Sequence, residues 1–259
     1  LQEGIANFGH LDFEGAMDGR YADVWCAPMG YYDRRNGGSG PIMAPAESCN
    51  IRGQAWCNED DLRTHLSAAD AGWGRVATLD ETLWGHRRDF MNTLVHRSQI
   101  WFMEQGAGWF TDDAIWKNIA TLQQIYQEIQ DNPTPLQSDV AMIVDEASMM
   151  QIVYGIELGL PLLYDLRAQI NRMGATPELW LLADYLKGRV TGKKLVVFLN
   201  TFSLPDAQRK ILRERLKADA ATALWFYAPG ILTPDAASEA DAFGVRGVTV
   251  RVEGDVNYY

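Results

Sequence analysis

The chain has 259 residues, 47% of them hydrophobic and 22% charged, which is enough to bury a sizeable core in one large domain or two smaller ones. A formal net charge of -11 argues against a general affinity for nucleic acid or an anionic membrane, because neutralising phosphates needs clustered lysine and arginine. A neutral or small polar ligand fits better.

Cys26, Cys49 and Cys57 form an odd set without metal-site spacing, so neither a disulfide framework nor a metal is expected. No stretch is apolar for long enough to span a bilayer. Leu1 is followed by no basic flank or signal-like segment, which favours a cytoplasmic protein, and the absence of an initiator methionine suggests a fragment or a processed product.

Residues 9 to 18, with Leu11, Phe13, Ala16 and Met17, read as a short helix. Residues 22 to 28 read as a buried strand stopped by Pro28. The loop from Tyr31 to Pro41 is long and rich in large side chains, so Tyr31, Tyr32 and Arg34 are candidates to line a pocket. A central strand at residues 54 to 58 then runs into Glu59, Asp60, Asp61 and Arg63. Strand alternation puts Ala55, Cys57 and Glu59 on one face, and Trp56, Asn58 and Asp60 on the other. Two readings of these carboxylates stand. Either Glu59 ends a strand of a β/α barrel, where such enzymes keep their chemistry, or the acids cap the next helix and pair with Arg63.

Thr78 and Glu81 form a capping box for a helix carrying Leu83, Arg87, Phe90, Met91, Leu94 and Val95 at helical period. A third strand follows at residues 99 to 105, and Asp112 or Asp113 caps a helix through Ile129. Strand and helix in alternation imply a parallel sheet. Its strand ends would gather Tyr31, Arg34, Glu59, Asp61, Arg63, Glu104, Gln105 and Trp109 at one mouth, suited to a sugar: an aromatic ring for the apolar face, polar groups for the hydroxyls. Three strands do not close an eight-stranded barrel, so residues 1 to 135 are expected to be only its last part.

Asn132 to Pro135 read as a linker, and residues 136 to 259 as a second domain. Strands are expected at residues 138 to 146, 176 to 182, 193 to 202, 222 to 228 and 245 to 252. Helices are expected at residues 160 to 173 and 205 to 217. That order predicts a flavodoxin-like, doubly wound sheet. There is no G-x-G-x-x-G, P-loop or G-x-S-x-G motif, so no cofactor is expected. Asp145 and Glu146 end the first strand without a nucleophile beside them, which favours a structural or interface role. The helix bearing Arg209, Lys210, Arg213, Arg215 and Lys217 reads as a solvated face.

Residues 22 to 28 with Tyr31 and Arg34, then Ala46-Glu47-Ser48, Asn58 to His65 and Trp101 to Phe110, resemble the final third of the catalytic barrel in family 42 glycoside hydrolases, the β-galactosidase-like enzymes. The second half is similar to the β-galactosidase trimerisation domain, notably in residues 140 to 146, 194 to 202 and 225 to 230. The resemblance implies a retaining glycosidase with Glu59 as nucleophile, and a homo-oligomer, by likeness a trimer. It also implies that Asp61 and Arg63 orient Glu59, that Glu104 contacts a hydroxyl or holds Glu59, and that Trp109 stacks on the sugar. The acidic cluster departs from the simpler nucleophile strand of β-galactosidases, which leaves the sugar open. The acid/base glutamate of the family has no counterpart in this sequence, so the chain alone is expected not to turn over substrate. The rival reading is a non-catalytic carbohydrate-binding or oligomerisation protein. An amidotransferase-like second half is disfavoured because all the cysteines lie in the first half.

Overall fold

The structure is a computed structural model that describes residues 12–133, 138–151, 156–227 and 229–230. It is a mixed α/β fold with two parallel sheets. In the first half, helix α1 (Phe13–Asp18) leads to strand β1 (Val24–Pro28), helix α2 (Ala46–Asn50), strand β2 (Ala55–Asp60), helix α3 (Leu79–Val95), strand β3 (Gln99–Phe102) and helix α4 (Asp113–Asp131). The strands lie in chain order, with Cys26 beside Cys57, Pro28 beside Glu59, and Glu59 beside Trp101.

The second half begins with β4 (Val140–Val144) and α5 (Glu146–Met149). Then come α6 (Ile156–Leu160), a π-helical turn (Pro161–Asp165) and α7 (Leu166–Asn171), and after them β5 (Glu178–Leu181), α8 (Leu182–Leu186), β6 (Leu195–Phe198), α9 (Asp206–Asp219) and β7 (Thr222–Trp225). Its strands are arranged β5-β4-β6-β7, all parallel. Both faces of this sheet are covered, which explains why Val140 to Val144 are uniformly apolar and buried. Ala141, Ile143, Val196 and Phe198 pack toward Leu212 of α9, while Val140, Met142, Val144 and Val197 join Met17, Met29, Ala46 and Trp56 of the first half in one core. The two sheets therefore share apolar contacts rather than meeting only through a tether.

Polar groups tie the halves as well. Leu179 and Leu181, on the outer edge of β5, donate their backbone N–H groups to the Glu47 carboxylate (3.1 Å) and the Ser48 hydroxyl (3.0 Å) of α2. Glu146 accepts from the N–H groups of Phe13 (2.6 Å) and Glu14 (3.2 Å), capping α1 from the second half. Asp145 caps α5 through the N–H groups of Ala147 and Ser148. Both carboxylates thus hold helix ends.

Several expectations change. The strand of residues 22 to 28 is partly open rather than buried, because β1 is an edge strand and Val24, Cys26 and Trp101 lie on a sheet face that nothing among the described residues covers. The buried stripe of α3 is mostly polar, with Thr82, His86, Asp89 and Thr93; Phe90 of the expected period is buried beside them, while Met91 is 53% exposed. Helix α2 was not expected, and Pro161 stands where the backbone takes a π-helical turn. Arg209 is buried, not solvated, since its guanidinium donates to the carbonyls of Leu204 and Gly230. Residues 9 to 11, the linker at Thr134 and Pro135 with the domain boundary there, Ala228, and the strand at residues 245 to 252 lie outside the described residues. No helix among the described residues is long and apolar enough to cross a membrane.

Candidate functional site

The carboxyl ends of β1, β2 and β3 set the site. As β1 ends, the Met29 N–H bonds the Glu59 carbonyl at 3.0 Å, which seats the following loop beside the end of β2. That loop carries Tyr31 and Arg34. The segment after β2 carries Asp61 and Arg63, and the one after β3 carries Glu104 and Gln105.

Asp61 is the hub. Wholly buried, it accepts from the Tyr31 hydroxyl (2.9 Å), Arg34 (2.6 Å), Arg63 (3.1 Å) and Gln105 (2.6 Å). Arg63 also donates to the Gln105 amide oxygen at 3.3 Å, and the Arg34 guanidinium lies 4.5 Å from the centre of the Tyr31 ring. Removal from water and the neighbouring Asp61 carboxylate both push the Tyr31 hydroxyl above its usual pKa, keeping it a donor.

Glu59 stands next to this hub, partly buried, and among the described residues no donor bonds its carboxylate. Burial raises its pKa above the ordinary glutamate value, Asp61 raises it further, and Arg34 opposes both. It is therefore a carboxylate with free oxygens, beside a network in which Arg34 and Arg63 pair with Asp61. Such a group can attack an electrophilic carbon, accept a proton or bind hydroxyls. The capping alternative is met only in part: Asp61 does pair with Arg63, but the next helix is capped by Thr78, whose box with Glu81 forms as expected.

The remaining candidates are placed as follows. Glu104 is exposed at the rim, and its carboxylate accepts from the Trp109 N–H at 2.9 Å. Trp109 is only 9% exposed, packed with Phe110 and Ile115, with Arg63 5.7 Å from its ring. Arg34 is sealed from solvent altogether. The structure thus brings Tyr31, Arg34, Asp61, Arg63 and Gln105 together beside Glu59, while Trp109 and Glu104 support one another at the margin.

Sequence reasoning missed two features. Behind the strand, buried Asp60 faces buried Asp89 of α3 with Arg34 and Arg88 nearby, and one oxygen of each acid has no hydrogen-bond partner. Burial first, and then the charge of Asp89, drive the Asp60 pKa upward. His86 lies in the same layer against Phe102 and Phe110, and burial lowers its pKa to about 4. The second feature is Trp73, whose ring centre is 5.3 Å from that of Tyr31. Its one sequence signal is the pair of flanking glycines, Gly72 and Gly74.

No family model and no curated protein matches the chain. Among solved structures, part of it is similar to a β-galactosidase from Bifidobacterium adolescentis, with 19% identity and a TM-score of 0.32, over 40% of this chain and 47% of that one. The chain thus spans about half the length of that neighbour, and an overlap of this extent decides nothing about activity.

Proposed function

We propose that the chain carries the nucleophile side of a retaining, β-galactosidase-like glycoside hydrolase, with Glu59 as the nucleophile and a neutral sugar as the substrate. The observation that carries this reading is a partly buried carboxylate, without a hydrogen-bond donor among the described residues, at the carboxyl end of a parallel strand and beside the Asp61 network. In a retaining reaction the carboxylate attacks the anomeric carbon, and a second carboxyl group roughly 5 Å away protonates the leaving oxygen. Asp61 is fully engaged by its four donors, and one oxygen of Glu104 accepts from the Trp109 N–H, so this reading keeps Glu104 as a rim group and assigns the acid to neither. Asp61 and Arg63 instead hold Glu59 in its field, and Tyr31 and Gln105 complete the polar wall.

The β1-β2-β3 order supports reading the first half as the last strands of a (β/α)8 barrel, and the β5-β4-β6-β7 order, 2-1-3-4 within that sheet, supports a flavodoxin-like second domain. Assembly as a homo-oligomer, a trimer by likeness, belongs to the same proposal, and light scattering that finds only monomer counts against it. The rival, a non-catalytic carbohydrate-binding protein, draws on the same want of an assigned acid. A 2-deoxy-2-fluoro glycoside with an activated leaving group separates the two, because it needs no acid to form a glycosyl-enzyme. Peptide mapping should find the sugar on Glu59, with no label on Glu59→Gln. Reversible binding without a covalent adduct across a glycoside panel favours the rival.

A further inference from the structure

Trp73 is 54% exposed in a segment that is held in place rather than loose. Gly72, Trp73 and Gly74 have φ of 64°, 47° and 75°, three successive residues in the left-handed region. A bulky aromatic residue rarely adopts that conformation, and where one does the surrounding structure enforces it. The enforcement is visible at Gly74: a Cβ there would lie 2.4 Å from the Cγ of Arg34, so the backbone is pressed against the arginine that holds Asp61. The ring inclines at 57° to that of Tyr31, whose hydroxyl bonds Asp61. Tyr31 and Arg34 therefore fix the indole at the strand ends, with much of its surface open. Trp84 and Trp116 are equally exposed but sit on α3 and α4, without a contact to the Asp61 network.

We propose that Trp73, with Tyr31 at its edge, is the stacking platform of this site and takes the apolar face of a neutral sugar ring whose hydroxyls reach the free carboxylate of Glu59. The assignment rests on the glycosidase reading above and adds the residue that recognises the ring. A neutral ligand fits because Arg34 and Arg63 are both already paired with Asp61, so neither guanidinium is left free to hold an anionic group. The indole supplies what the polar network lacks, a flat apolar surface for the C–H face of a pyranose.

The test is binding of methyl glycosides and short oligosaccharides to the full chain, followed by saturation-transfer NMR and titration calorimetry. Trp73→Asn removes the ring while keeping a residue that tolerates left-handed backbone, so it should fold with an unchanged thermal midpoint. The expected result is a Kd weakened about tenfold or more in Trp73→Asn, with most of the affinity kept in Trp73→Phe and all of it in Trp84→Ala. If a glycoside binds and Trp73→Asn leaves its Kd unchanged, the platform assignment is overturned while the role of Glu59 stands. If no glycoside in the panel binds the wild-type chain, the glycosidase reading falls and the platform with it.

Discussion

Asp61→Ala should be among the most destabilising single changes in the first half. The aspartate is completely buried and bonded to two arginines, of which Arg34 is sealed from water and Arg63 nearly so. Removing one partner of a buried ion pair leaves an uncompensated charge in a poorly solvated place, which costs about 3–5 kcal/mol. Against a total stability of about 5–15 kcal/mol, that is a large fraction. For a chain of this size, ~4 kcal/mol corresponds to a thermal midpoint lower by about 8–16 °C. The assay is urea and thermal unfolding of wild type, Asp61→Ala, Arg34→Met and the double variant. Because the two side chains bond at 2.6 Å, the double variant should be less destabilised than the sum of the singles, with a coupling of about 2 kcal/mol. A loss below about 1 kcal/mol for Asp61→Ala, or strict additivity with Arg34→Met, would refute the view that this pair is a buried, mutually dependent hub.

Three further outcomes are expected. Burial lifts the Glu146 pKa from 4.5 to about 7, so the folded state holds a proton there that the unfolded chain has lost; stability should fall as pH rises from 4.5 through 7, and the slope should flatten in Glu146→Gln. At about 1.4 kcal/mol per unit the effect is at most ~3 kcal/mol, and a pH-independent urea midpoint across that window would contradict it. Iodoacetamide should label exposed Cys26 in the native protein and reach Cys49 only after unfolding, because burial pushes the Cys49 thiol up to about 12; equal labelling rates by mass spectrometry would count against the packing described. Gly74→Ala should destabilise more than Gly53→Ala. Both positions have positive φ, 75° and 69°, but only at Gly74 does a new Cβ strike a buried side chain. The difference should be about 1–2 kcal/mol by urea unfolding.

The elements with strong local signals were legible in advance. The Thr78 box, a cap at Asp112 or Asp113, which the structure gives to Asp112, and the alternation that separates Glu59 from Asp60 are written in neighbouring residues, and each appears where expected. The inner face of α3 was not legible, because apolar periodicity finds a helix that meets an apolar partner. This helix meets Asn58 and Asp60 and so buries Thr93 and Asp89 there, with His86 against Phe102 and Phe110, while Phe90 of the expected period is buried too. The fate of Arg209 depends on the carbonyl of Gly230, and that of Trp109 on packing with Phe110 and Ile115, neither of which spacing reveals. Trp73 carried too little pattern to stand out, since its position is decided by Arg34 and Tyr31, more than thirty residues earlier.

The seating of Glu47 and Ser48 on β5 has a consequence for how the second sheet can grow. A bare strand margin presents a row of donors that recruits any stray extended chain. On this margin a helix has put its own oxygens where a neighbouring strand's carbonyls would otherwise sit. An incoming segment finds those donors already occupied, so extension of this sheet, whether by the same polypeptide or by another molecule, is steered to the opposite flank, beside β7.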